Sequence, residues 1–125
     1  MRGGIVGVAA GAALVILLTA ASLAAPAGQL APADIQATFF NGESFTAATP
    51  SNVKFKMTFT SDGRMRREPA QGGTKAEGTW KLSKDGFCTT WAGAGARSNC
   101  FTIVGAGDNK WSVLRGTIII ATWSK

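Results

Sequence analysis

A chain of 125 residues with no histidine offers no Ser-His or Cys-His pair to activate a nucleophile, and its two cysteines lack the partners of a tetrahedral zinc shell. Thirteen Lys and Arg against seven Asp and Glu give a net charge of +6. That excess favours phosphates, anionic lipid headgroups or acidic glycans as contacts and is silent about fold.

Residues 1–25 stand apart from the rest. Met1, Arg2 and two glycines lead into IVGVAAGAALVILLTAASLAA, which carries no charge. A short basic start, an apolar middle and small residues at the end form the pattern of a secretory signal peptide. Ser22-Leu23-Ala24 and Ala25-Pro26-Ala27 both place small residues where a signal peptidase reads them. A retained anchor is the rival, because about 20 apolar residues span a bilayer. One basic residue precedes the run and no basic cluster follows it, so nothing marks a stop. The expectation is a cleaved signal and a periplasmic or secreted product with no membrane span. Residues 26–33 (PAGQLAPA) read as a flexible leader and residues 34–125 as one small domain.

A domain of that size buries only about 60–65% of its unfolded surface, so a staple matters. Cys88 and Cys100 fit a disulfide in an oxidising compartment. Closing so short a loop contributes about 3 kcal/mol in a chain-entropy account.

Residues 32–40 suit a short helix, with Pro32 in its first turn and Asn41-Gly42 as a left-handed stop; Thr38-Phe39-Phe40 equally suits the opening of a strand. Period two then takes over. In VKFKMTFT, Val53, Phe55, Met57 and Phe59 share one face against Lys54, Lys56, Thr58 and Thr60. Ser61-Asp62-Gly63 turns the chain into RMRRE, and PAQGGT is a loop. In EGTWKL, Gly78, Trp80 and Leu82 share a face; after Lys84-Asp85-Gly86, Phe87, Thr89 and Trp91 alternate against Cys88 and Thr90. The two Thr-Trp pairs thus read as outward threonines beside inward aromatics on one hairpin. AGAGARSN leads to CFTIV, GAGDN to KWSVL, and Arg115-Gly116 to TIIIATWSK, whose three isoleucines suit a strand covered on both faces or one that bends at a barrel seam. The sum is an all-β domain of seven to eight strands in an antiparallel meander, closing into a small barrel or sandwich. Closure is favoured because an isoleucine-rich edge would aggregate.

Little in this pattern moves protons. Asp62, Asp85 and Asp108 occupy turns, Asp34 the leader or helix start, and Glu43, Glu68 and Glu77 are not paired by spacing. AGAGA and GGT lack the lysine and helix of a phosphate loop. The chain is expected to be non-catalytic, monomeric and without cofactor or metal. Arg64, Arg66 and Arg67 form the densest basic cluster, read either as an anion patch toward an anionic envelope surface or a protein partner, or as a solvated hairpin rim. Nucleic acid is disfavoured by export and by threonines, not cations, interleaving the tryptophans. Trp80, Trp91, Trp111 and Trp123 either line a pocket for an apolar ligand or fill a small interior, with filling the simpler use.

The order Asp-Gly turn, Gly78-Thr79-Trp80, Asp85-Gly86, Cys88 and Cys100 resembles small exported proteobacterial β-proteins of an uncharacterised family, over roughly residues 34–124. It is also similar, more distantly, to lipocalin-like periplasmic inhibitors of secreted metalloproteases. That second resemblance implies that residues 27–33 enter a protease cleft. The expected function is an exported, non-catalytic envelope domain with a binding or structural role. A protease inhibitor and a calyx-type binder of a small apolar ligand are the alternatives.

Overall fold

Alternation of inward and outward side chains, sustained from Ser44 onward, sets the architecture. The computed structural model describes residues 28–125, so the signal-peptide reading of residues 1–25 lies outside the described residues. Helix α1 (Pro32–Phe39) precedes β1 (Ser44–Ala48), β2 (Lys54–Phe59), β3 (Arg64–Pro69) and β4 (Ala76–Leu82). Then come β5 (Phe87–Trp91), β6 (Ser98–Gly107), β7 (Lys110–Arg115) and β8 (Ile118–Ser124). Each strand pairs antiparallel with the next, and β8 returns to β1 with Ala47 opposite Trp123, closing a barrel. Of barrel and sandwich, the chain adopts the barrel, and closure leaves no strand as an unpaired edge.

Strand register carries the apolar face into the interior. Phe59 lies opposite Met65, Leu82 opposite Phe87, and Ile103 opposite Val113. Phe59, Met65, Phe87, Ile103 and Val113 are all nearly inaccessible to solvent. Two glycines permit the tight coiling this requires. A Cβ on Gly78 would lie 2.4 Å from the Thr90 carbonyl oxygen, and one on Gly86 only 1.9 Å from that of Phe101. The disulfide between Cys88 and Cys100 joins residues directly opposed on β5 and β6.

Residues 32–39 resolve the helix-or-strand ambiguity in favour of the helix. Pro32 sits in its first turn, and Ile35 and Phe39, four apart, share the buried face. The Asn41 side-chain amide donates to the Ala37 carbonyl at 3.0 Å, and the Gly42 N–H donates to the Phe59 carbonyl at 2.8 Å. These bonds fix the exit of the helix against β2. Phe39 and Phe40 consequently enter the barrel from one end. Phe39 meets Trp111 edge-on at 4.9 Å, while Phe40 stacks on Phe59 at 4.5 Å. Lys125 pins the outside of this plug, donating to the Thr38 carbonyl and pairing with Glu43 at 2.9 Å. Among the described residues no helix is long and apolar enough to cross a membrane.

Two local expectations are corrected, and one open alternative is decided. Residues 28–30 are not loose. Gln29 bridges Val104, Leu30 N–H donates to the Ile103 carbonyl and Gly105 N–H to the Gly28 carbonyl, each at 2.9 Å. The reason is that β5 starts at Phe87, opposite Phe101, leaving the later part of β6 without a partner on that side. Val53 lies in the β1–β2 turn at 50% exposure and not on the inward face of β2. Of the two readings of the isoleucine run, the bend holds and cover on both faces does not: a bulge opposite Val113 and Leu114 leaves Ile118 and Ile119 largely exposed while Ile120 packs against the core.

Candidate binding site at the open end of the barrel

Because the strands run up and down, their connections sort into two groups. Turns 60–63, 83–86 and 108–109 lie at the end entered by α1; loops 49–53, 70–75, 92–97 and 116–117 lie at the other. The helix fills its own end. At the opposite end a cavity of about 160 Å³ remains, open to solvent between the loops. Its walls are Phe55, Met57, Trp91, Phe101, Ile120 and Ala121, and its floor is Phe59, Phe87 and Trp123, the rings that also support the plug.

Two polar groups interrupt this apolar lining. Arg67 lies opposite Met57, on the same face as Met65, so the pleat of β3 carries it inward. Its guanidinium lies 4.9 Å from the Phe55 ring centre and 4.7 Å from that of Trp91. Each such contact contributes about 0.5–1 kcal/mol, more where water is excluded. Among the described residues no carboxylate lies within ion-pairing distance of Arg67. The second group is Thr89, the one buried polar residue among those described, at 6% exposure; its hydroxyl has no hydrogen-bond partner among the described residues. With no such partner, that hydroxyl can donate to or accept from whatever occupies the cavity.

The rim is charged on one side of the ledger only. Loops 49–53, 70–75, 92–97 and 116–117 contain no Asp or Glu, while Lys75 and Arg97 lie within them and Lys54 and Arg115 beside them. Each turn at the helix end, by contrast, carries an aspartate. Asp62 is one of these. A hydrogen bond from the Thr60 hydroxyl, aided by the nearby Arg64 guanidinium, holds its carboxyl below the ordinary value of 3.8. Among the described residues no three metal-ligating side chains cluster.

The three arginines grouped by sequence are thus separated by the pleat. Arg64 points outward and pairs with Asp62 at 3.7 Å, Arg66 points outward and pairs with Glu68 at 3.2 Å, and Arg67 alone faces the cavity. The tryptophans divide as well. Trp80 donates its indole N–H to the Thr60 carbonyl at 2.8 Å and leans on Phe40 at 4.5 Å. Trp111 packs on Phe39, Trp123 forms the shared floor, and Trp91 stands at the mouth. Cys88 and Cys100 sit on the outward register of β5 and β6, outside the cavity. Phe55, Thr89 and Phe101 were missed as site residues. The inward register of Arg67 was readable two positions after Met65, but the density of neighbouring charge suggested a surface patch instead.

These features define an antiparallel β-barrel plugged at one end and open at the other. No family model, no curated protein and no solved structure matches the chain.

Proposed function

We propose that this chain is an exported, non-catalytic binding protein that holds a small apolar molecule in the open half of its barrel. The observation that carries the reading is the cavity left between the α1 plug and the mouth, with aromatic walls and a floor of buried rings. An apolar cavity of about this volume accepts a molecule the size of benzene. The docking of residues 28–30 against β6 favours this over protease inhibition, since a segment that enters a cleft would first give up those hydrogen bonds.

The test uses toluene as a neutral probe, followed through tryptophan emission of the native protein. Saturable quenching that disappears in denaturant and is lost in Ala121→Phe, with folding unchanged by circular dichroism, is the expected outcome. Absence of any saturable response in the native wild type would overturn the reading.

A further inference from the structure

We infer that the ligand carries a carboxylate, held by Arg67 and Thr89 at the mouth, on an apolar body no larger than an aromatic ring or a short alkyl chain. The inference rests on the binding reading above and specifies its ligand.

Three independent observations converge on it. The first is the contrast along β3. Arg64 and Arg66 each have a carboxylate partner, at 3.7 and 3.2 Å, although both are exposed and need one least. Arg67, drawn inward between two aromatic rings, has none among the described residues. A half-buried cation gains more from an anion than an exposed one does, and the planar guanidinium fork matches a carboxylate in two parallel hydrogen bonds. Phe55 and Trp91 brace the guanidinium from the sides, so the fork is restrained before a ligand arrives.

The second is Thr89. Its hydroxyl lies in the same cavity and is buried without a partner, and it supplies the donor that a carboxylate oxygen would accept. The third is the field at the mouth. The four loops around it carry no acidic residue, while Lys75 and Arg97 lie within them and Lys54 and Arg115 beside them; of the carboxylates that flank loop 70–75, Glu68 and Glu77, the first is paired with Arg66. Such a rim raises the local concentration and arrival rate of anions. The size limit follows from the cavity itself, since α1 occupies the space a long chain would need.

The experiment compares phenylacetate, phenylacetamide and toluene by calorimetry and tryptophan emission on wild type, Arg67→Gln, Arg67→Lys and Thr89→Val. Phenylacetate should bind wild type more tightly than the isosteric amide. Arg67→Gln should weaken phenylacetate by about tenfold to a hundredfold and leave toluene unchanged. Arg67→Lys should restore part of the preference, because it keeps the charge and loses the fork. Thr89→Val should cost about threefold to tenfold for the acid alone. Equal affinity of wild type for acid and amide, with toluene still bound, would overturn the carboxylate inference and leave the cavity reading intact. Failure of toluene to bind the native wild type would sink the cavity reading itself.

Discussion

The two ends of the barrel are built by the same eight strands, yet they differ in nearly every respect that matters. At one end Ile35, Phe39 and Phe40 descend from α1 into a cluster with Phe45, Phe59, Phe87 and Trp123, and solvent is excluded. At the other, inward side chains from the strands alone leave a cavity, and the charges within its loops are basic. The comparison teaches that side chains contributed by the strands do not fill this barrel throughout. The interior closes only where a helix donates additional rings, and the remaining space is the candidate site.

The largest expected effect tests that asymmetry directly. Phe40→Ala removes a ring at 1% exposure and should destabilise by about 3–5 kcal/mol, read from urea denaturation. Phe55→Ala, at the half-buried mouth, should cost about 1–2 kcal/mol. Equal losses would abolish the distinction between a packed and an open end. Next comes the disulfide. The Cys88→Ser and Cys100→Ser double variant should lose about 3 kcal/mol, with the larger spectroscopic change at Trp91, on the hairpin that the bond ties. A stability unchanged from wild type would show that strand pairing alone fixes this hairpin.

The smallest effect belongs to the closed end. Asp62 has a folded pKa below 3.8, so its small contribution to stability is present above that value and fades as pH falls through the lowered folded pKa. Thr60→Ala removes the main cause and should move the Asp62 midpoint upward toward the ordinary value, measured by NMR titration of its carboxyl carbon. A midpoint that stays where it was would assign the shift to Arg64 instead.

Much of the fold was legible because a strand states its own orientation. Phe55, Met57 and Phe59, or Phe87, Thr89 and Trp91, fix a face by period two without reference to anything distant. The disulfide was equally plain, since two cysteines allow one pairing. What the pattern does not hold is volume. Whether four tryptophans fill a barrel or line a hollow depends on how far Phe39 and Phe40 penetrate, which α1 and the bonds at Ala37, Thr38 and Phe59 decide together. Val53 departed from its strand because the Thr49 hydroxyl accepts its N–H at 3.0 Å, holding it within the turn. Arg67 shows a subtler failure. Its register was present in the sequence, but three arginines in four positions look like one feature when the pleat makes them two.

The bonds made by Gly28 and Lys125 have a practical consequence for orientation. Gly28 sits beside Gly105 and Lys125 beside Asn109, both toward the plugged pole. A tether attached at Lys125 would therefore hold the molecule with its vestibule facing away from the support. Capture on a sensor surface by a tag following Lys125 should leave ligand access intact, whereas anchoring through residues 92–97 would obstruct it.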